Sequence, residues 1–259
     1  MITKVPENQR QLVKPFFEAF EDTLIRSYLE GHMGEAWVDD LHHPTAAQIT
    51  VSIFTFFAGD PNTPAVEALL RNIPEDVLIT TESEEWQQLI ETVHAEAFEK
   101  YSRYRFENSS DAFDRQHLQN LVNQLPSDYT VRKLDETVIE MPSLHALSED
   151  FTGNFESAKD FLNRGIGYAV IHEDKVVSGA SSFSVYDEGI EIEVGTHSDY
   201  RRKGLAAVAS AALILDCLDR QLYPNWDADN IGSVKLAQHL GYILKEPYDT
   251  YYVTTRKKG

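Results

Sequence analysis

The chain has 259 residues, of which 42% are hydrophobic and 11% aromatic. This composition excludes a disordered protein and is sufficient for one large or two ordinary folded domains. A formal net charge of −19 disfavours nucleic acid and anionic lipid as partners, because both would be repelled.

The acidic surface has two readings. It keeps the protein soluble, or it attracts a cationic substrate such as an amine.

The single cysteine, Cys217, excludes an internal disulfide and fits a reducing compartment. The N-terminus resembles no signal peptide, and the weakly charged stretch 41–59 is too polar for a membrane span. We therefore expect a cytoplasmic protein, with the basic residues 256–258 as a frayed end.

Helical and strand patterns alternate in the first half of the chain. Helices are predicted at 10–33, 63–72, 83–100 and 111–125, and strands at 35–39, 48–58, 77–79 and 101–106. Ser83 is the expected cap of the third helix. We find no phosphate-binding loop in residues 1–125.

A Pro-Ser-Asp boundary at 126–128 opens the second half. Its predicted elements are a strand from 129, helices between 137 and 164, a hairpin at 167–183, a strand at 189–196, a helix at 204–222, a short strand near Trp226, a helix at 230–240 and final strands at 242–253.

The most informative stretch is T-H-S-D-Y-R-R-K-G-L-A, residues 196–206. It joins an alternating strand to an alanine- and leucine-rich helix through three adjacent cations, Arg201, Arg202 and Lys203. Gly204 at the helix entrance leaves room for an anion to reach unpaired backbone amides and the positive end of the helix dipole. The alternative is a solvated basic turn.

This loop resembles the pyrophosphate-binding motif of the GNAT superfamily of N-acetyltransferases. That motif is Arg or Gln, two residues, Gly, one residue, and Gly or Ala. Arg201, Gly204 and Ala206 occupy the three defined positions.

A second stretch strengthens the resemblance. Asn230, Ser233 and Leu236, followed by Gly241 and Tyr242, are similar to the family pattern of Asn, Ser or Ala, Leu, and a final Gly with an aromatic residue. The two motifs stand in the family's order on the expected elements, and the resemblance covers roughly residues 128–259.

The predicted fold class is α/β, with a mixed central sheet flanked by helices. Residues 127–259 are expected to form a GNAT acetyltransferase domain, and residues 1–126 a second α/β domain. The chain resembles the two-part branch of the family, whose N-terminal half is a degenerate GNAT-like domain. No sequence repeat joins the halves, so this rests on fold analogy.

The resemblance implies transfer of an acetyl group from acetyl-CoA to a primary amine by direct attack. It implies that coenzyme A lies in a split between the strand at 189–196 and the strand near Trp226. The implied cofactor-binding residues are Val194, Thr196, Arg201, Arg202, Lys203, Gly204, Leu205, Ala206, Asn230 and Ser233. For the last two, plain helix capping is an alternative.

Family members often use a carboxylate on the central strand as general base. Glu193 and Glu191 are the candidates here, and Glu193 is preferred because it is closer to the loop. Both share one strand face if the strand is regular, and a bulge would change which one faces the cleft. A half-exposed strand without catalytic role shows the same alternation.

The family's usual tyrosine acid falls on Ala237 in this sequence, so we assign no general acid. A non-catalytic CoA-binding or protein-interaction module of the same fold is therefore the alternative function. Transfer from a different acyl donor is a third possibility.

The acceptor is expected to be a cationic small-molecule or peptide amine. An aminoglycoside, a polyamine, an amino acid and a protein N-terminus all remain open.

Other chemistries are disfavoured by the sequence. His42-His43 is the only adjacent histidine pair, and no spacing of histidine, cysteine and carboxylate predicts a metal site. The glycine loop lacks the Gly-Lys-Ser/Thr ending of a P-loop and the dinucleotide-binding pattern. ATPase and dinucleotide functions are thus not expected.

Overall fold

The structure is a computed structural model that describes residues 1–254; the predicted frayed end at 256–258 lies outside the described residues. The first half contains β1 (Thr3–Lys4), α1 (Thr23–Glu30), β2 (Glu35–Val38), β3 (Ala46–Val51), β4 (Phe54–Gly59), α2 (Val66–Arg71), β5 (Val77–Thr80), α3 (Glu84–Val93), β6 (Phe98–Phe106) and α4 (Arg115–Asn123). The second half contains β7 (Tyr129–Lys133), α5 (Glu136–Ile139), α6 (Pro142–Leu147), α7 (Ala158–Arg164), β8 (Gly167–His172), β9 (Lys175–Tyr186), β10 (Gly189–Thr196), α8 (Leu205–Asp219), β11 (Tyr223–Asn225), α9 (Ile231–Leu240) and β12 (Leu244–Val253). Four 3-10 helices, Glu7–Phe16, Ser110–Ala112, Glu149–Phe151 and Ser198–Tyr200, complete the described secondary structure.

The chain divides into two compact units. Among the described residues, the first unit holds 1–103 together with 248–254, and the second holds Tyr104–Pro247. The helix α4, which lies before the sequence-based boundary at 126/127, packs in the second unit because Leu118 and Leu121 are buried in a core shared with α8 and α9. The sequence-based division into domains 1–126 and 127–259 remains a prediction. The compact units have other boundaries, at 103/104 and 247/248.

The sheet of the first unit has the order β1-β2-β3-β4-β5-β12-β6. Neighbours from β1 to β4 are antiparallel, whereas β4 and β5 are parallel and are joined by α2. The C-terminal strand β12 pairs antiparallel with β5 through residues 251–253. The unit therefore completes its sheet with a strand from the far end of the sequence.

The sheet of the second unit has the order β11-β10-β9-β8-β7. Strands β7 to β10 are antiparallel to their neighbours, and β10 and β11 are parallel, joined by α8. In both units a helix thus connects two parallel neighbouring strands: α2 connects β4 to β5, and α8 connects β10 to β11. Mixed sheets flanked by helices confirm the predicted fold class.

The helix α8 is buried on nearly every side, as its run of alanine and leucine residues predicts. Its polar residue Asp216 accepts hydrogen bonds from Lys133 and Arg220, each at 2.7 Å, and from the Tyr168 hydroxyl at 3.1 Å. Burial alone would raise the pKa of the Asp216 carboxyl, but the two cations hold it below its usual value. Asp216 therefore stays charged and fixes the outer side of α8 to the sheet.

Two predicted helices are shorter in the structure. The helix expected at 10–33 is instead a 3-10 helix that contains Pro15, followed by α1 with Asp22 as its cap. Proline lacks the amide that an α-helix interior requires, which explains the break. The helix expected at 83–100 begins at the Ser83 cap, as predicted, but ends at Val93.

The single strand expected at 48–58 is also wrong, because β3 and β4 form a hairpin there. The turn places Ser52 at φ 52°, a left-handed conformation that glycine or asparagine usually signals in a sequence. Ser-Ile carries no such signal, and apolar residues continue on both sides of the turn.

No helix within residues 1–254 is long and apolar enough to cross a membrane.

The strand β12 gives the first testable prediction. Tyr251 is 1% exposed in the core of the first unit, whereas its neighbour Tyr252 is 36% exposed. Tyr251→Ala should lower the free energy of unfolding by about 3–5 kcal/mol, as for other buried aromatic truncations. Tyr252→Ala should cost about 1 kcal/mol or less. Urea denaturation of both variants provides the measurement, and equal losses would contradict the strand's place in the core.

Candidate active site

The strand β10 lies at a fork in the second sheet. On one edge it pairs with β9 along its full length, from Gly189 to Thr196. On the other edge it pairs with β11 only from Gly189 to Glu191, and the last pair is Glu191 with Asn225. Beyond that pair, no described strand covers this edge of residues 192–196, so its backbone groups are available to a ligand.

The loop after β10 carries backbone amides that bond to no residue within 1–254. Arg202 and Gly204 have φ angles of 63° and 79°, and such left-handed residues turn successive N–H groups toward one point. The first helical hydrogen bond of α8 runs from the Val208 N–H to the Gly204 carbonyl at 3.2 Å. From Arg202 to Ala207, no backbone N–H is bonded to any residue that the structure describes.

The loop is open and positively charged. A Cβ atom added to Gly204 would meet nothing within 4 Å, so an anion can approach the amides closely. Arg201, Arg202 and Lys203 are exposed. Arg201 donates from Nε to the Thr196 carbonyl at 3.4 Å, and Lys203 lies over the Tyr200 ring at 4.7 Å from its centroid. Free amides, the helix dipole and three cations together fit a diphosphate group.

The other predicted cofactor residues of this strand–loop–helix unit contribute mainly backbone. The Thr196 hydroxyl is 2.7 Å from the Ser178 hydroxyl, so it is engaged within the sheet. The Val194 side chain packs on the core beneath α8, and Leu205 is buried while Ala206 is half-buried. The backbone of β10 and the free amides of Leu205 and Ala206, rather than the side chains of these residues, are what a coenzyme arm could bind.

The side chains of Asn230 and Ser233 form hydrogen bonds within the protein at the start of α9. The Asn230 side chain caps the helix by accepting from the Ser233 amide at 3.1 Å. The Ser233 hydroxyl accepts from the Trp226 indole N–H at 3.0 Å. Helix capping, the alternative given by the sequence, accounts for Asn230 in this structure, and a coenzyme contact from either residue stays a prediction.

The two candidate bases have different surroundings. Glu191 is 7% exposed, and its carboxylate accepts from the Asn225 amide at 2.6 Å, so it joins β10 to β11 where the fork closes. Glu193 is half-buried on the open part of the strand and accepts from the Ser148 hydroxyl at 3.0 Å. Of the two carboxylates, Glu193 is the one placed beyond the last β10–β11 pair.

The sheet does contain a bulge near these glutamates, but it lies on the partner strand. Glu191 pairs with Ser184 and Ile192 with Ser182, which leaves Phe183 of β9 as the extra residue. The strand β10 therefore runs regularly, and both glutamates keep the same face. Ser148 and Asn225, which orient them, were not identified from the sequence because nothing in their local pattern marks them.

Ala237 lies in the interior of the second unit. It is completely buried between Val234 and Leu240 on the core face of α9. The nearby Tyr242 hydroxyl donates to the Pro224 carbonyl at 2.6 Å and the Tyr223 hydroxyl to the Glu107 carbonyl at 2.8 Å. Burial raises the pKa of Tyr223 to about 12. These tyrosines are held by backbone carbonyls in the core.

The first unit has no equivalent anion site in its matching loop. Between β4 and α2, residues 60–65 contain no lysine or arginine. The Asn62 amide donates to Asp60 at 2.9 Å, the Thr63 hydroxyl to Asp39 at 2.9 Å, and the Val66 amide to the Thr63 carbonyl at 3.1 Å. Burial would raise the pKa of Asp39, but hydrogen bonds from its neighbours lower it to about 2. The loop is thus anionic, and its own groups occupy its amides.

The model of the GNAT acetyltransferase family matches residues 14–251. A Bacillus subtilis (strain 168) protein named uncharacterized N-acetyltransferase YdfB is 25% identical over 250 residues, with 92% of each chain covered. The crystal structure of a GCN5-related N-acetyltransferase-like protein from Streptococcus suis 89/1591 is 37% identical and has a TM-score of 0.87, covering 95% of this chain and 98% of that one. A tandem GNAT protein from the clavulanic acid biosynthesis pathway shares the fold, with a TM-score of 0.61 at 10% identity over 100% and 99% of the two chains.

The burial of Ala237 generates a prediction about α9. Ala237→Tyr should destabilise the second unit by about 1–3 kcal/mol or more, because a tyrosine does not fit into a packed core. Gln238→Tyr, on the exposed side of the same helix, should change stability by about 0.5 kcal/mol or less. Thermal denaturation of both variants tests this. A stable Ala237→Tyr variant would mean that this position faces a cleft after all.

Proposed function

We propose that this chain, which belongs to the GNAT acetyltransferase family, moves an acetyl group from acetyl-CoA to a primary amine. The observation that carries the proposal is the run of unpaired amides from Arg202 to Ala207 beside the open edge of β10. The coenzyme's diphosphate would be held at these amides. Its extended arm would pair with the backbone near Val194 and Thr196.

When bound, acetyl-CoA would supply an acyl thioester, whose acetyl carbon bonds to the amine nitrogen while the carbon–sulfur bond breaks and sulfur takes the electron pair. The amine must be neutral to attack and must lose a proton on becoming an amide. Glu193 is the proposed general base that receives this proton, directly or through a water molecule. The hydroxyl of Ser148 would hold its carboxylate in place at 3.0 Å. Glu191, bound to Asn225, would maintain the fork.

The proposed acceptor is a cationic amine of a small molecule or a peptide. A net charge of −19 attracts such acceptors and repels nucleic acid and anionic membranes. We expect the enzyme to act in the cytoplasm, where a lone buried thiol such as Cys217 stays reduced. Burial raises the pKa of this thiol to about 12, so it takes no part as a nucleophile.

One observation favours a second candidate function. Ala237 is buried where the family places its tyrosine acid, so the chain would serve as a CoA-binding module if the departing sulfur required a protein acid. Tight binding of acetyl-CoA without thiol release, tested with a polyamine, an aminoglycoside, L-lysine and a short peptide, would support the module. Thiol release with any of these amines would support the transferase.

Calorimetry with acetyl-CoA tests the binding site directly. We expect binding that inorganic pyrophosphate competes with and that weakens as salt rises, because charge contributes to it. Gly204→Leu should lower the affinity about 100-fold or more, since its side chain would extend over the free amides. No binding of acetyl-CoA at millimolar concentration would end the proposal.

The matched control for this variant is Gly241→Ala. Gly241 also has a positive φ, of 111°, but it ends α9. It therefore reports the cost of a non-glycine residue in that conformation, roughly 1–2 kcal/mol in stability, together with a close contact of the added Cβ with the Ala112 carbonyl at 3.3 Å, without touching the loop. Equal affinities for acetyl-CoA in Gly204→Leu and Gly241→Ala would show that the loop does not hold the coenzyme.

The role of Glu193 is tested by a pair of conservative substitutions. Glu193→Gln should lower kcat about 100-fold or more, since it removes the base while keeping the side-chain volume. Its affinity for acetyl-CoA should remain. Glu191→Gln should change kcat only several-fold, because that side chain bonds Asn225 at the closed end of the fork. Both rates are measured as thiol release with an amine that the wild-type protein acetylates. A larger loss of kcat in Glu191→Gln than in Glu193→Gln would identify Glu191 as the general base instead.

A further inference from the structure

The first unit contains a solvent-open cavity of about 390 Å³ that the proposed acetyl transfer does not use. Its wall includes Lys4, Glu7, Arg10, Tyr28, Glu35 and Thr50. Glu35 and Thr50 pair at the start of β2 and the end of β3. This is the opposite end of the sheet from the loop 60–65, because Ala46 at the other end of β3 pairs with Gly59. The cavity therefore lies away from the first unit's matching loop.

Tyr28, one of the residues that line the cavity, carries a hydrogen-bond donor without an acceptor. Tyr28 is 2% exposed, and its buried hydroxyl has no partner among residues 1–254. Burial raises the pKa of this hydroxyl to about 12, with smaller opposing effects from the charges of Arg10 and Glu35. The hydroxyl therefore stays protonated. The charges that act on it, those of Arg10 and Glu35, belong to two other residues of the cavity wall. A buried donor of this kind normally has an acceptor.

The charges on the wall are only partly neutralised. Lys4 and Glu35 form an ion pair with each other. The guanidinium of Arg10 lies over the Tyr28 ring, 5.8 Å from its centroid. Neither Arg10 nor Glu7 forms an ion pair with another described residue. One positive and one negative group thus remain for a ligand on the same cavity wall.

We propose that this cavity binds a free α-amino acid. The ligand carboxylate would accept hydrogen bonds from Arg10 and from the Tyr28 hydroxyl, and the ligand ammonium would lie at Glu7. A guanidinium and a buried hydroxyl are suited to a carboxylate, which offers two acceptor oxygens. The volume is at the lower end of small-molecule sites, roughly 300–1,000 Å³. The proposal does not depend on acetyl transfer by the second unit.

Calorimetry on the full-length protein tests the ligand class. The probes are glycine, L-leucine, L-glutamate and L-lysine, with acetate and methylamine as the two halves of the zwitterion. We expect at least one amino acid to bind about tenfold or more tightly than either half. Failure of all four amino acids to bind at millimolar concentration overturns the proposal. Acetate that binds as tightly as the best amino acid also overturns it, since the ammonium then contributes nothing.

The Tyr28 hydroxyl can be removed with little change in shape. Tyr28→Phe should weaken amino-acid binding about tenfold or more while leaving the melting temperature unchanged or higher, because the hydroxyl has no partner to lose. Arg10→Gln should weaken binding as well. Unchanged binding in both variants overturns the proposed contacts.

Tyr251→Phe is the matched control in the same unit. Its hydroxyl donates to Glu91 at 2.7 Å, so its removal should lower the melting temperature and leave amino-acid binding intact. Acetyl-CoA binding should persist in Tyr28→Phe, and it is measured in parallel. A failure of this proposal is thereby separated from a failure of the proposed function.

Discussion

The unpaired backbone amides at the entrance of α8 are the constraint on which the second unit depends. Their hydrogen-bonding capacity is met by water or by a ligand, because no described residue bonds to them. An anion gains from all of them at once, together with the helix dipole. Two features keep the site accessible: β11 leaves the edge of β10 after Glu191, and Gly204 carries no side chain.

The two units show how one topology can support or lose such a site. Each crosses from an antiparallel strand through a helix to a parallel strand. In the second unit the crossing loop is cationic and its amides are open, and a helix of 15 residues follows. In the first unit Asp60 and Asp39 supply the loop's hydrogen bonds, and α2 has only 6 residues. Carboxylates thus accept hydrogen bonds from the loop of the first unit, which therefore lacks the cationic, open anion site of the second unit.

The sequence predicted the elements whose signals are local. The alternation of Gly189–Thr196 gave β10 with correct bounds, and Gly204 marked the start of α8. The hairpin turn at Ser52 was missed because its backbone conformation is imposed by pairing of β3 with β4, not by its residues. The contacts of Ser148 with Glu193 and of Asn225 with Glu191 span 45 and 34 residues. No local pattern encodes such pairs, so only the folded sheet distinguishes the two glutamates.

The buried Ala237 bears on how far a transferase can do without the family's tyrosine. A base and an acid do not contribute equally to acetyl transfer from a thioester. An alkylammonium has a pKa near that of lysine, about 10.4, so most of the amine is protonated at neutral pH and a proton acceptor is indispensable. A thiol has a pKa of about 8.5 and therefore leaves as a thiolate at modest cost without a proton donor. In the proposed transferase Glu193 would supply the proton acceptor, whereas Ala237 is buried in the core, so the missing group would be the less critical of the two.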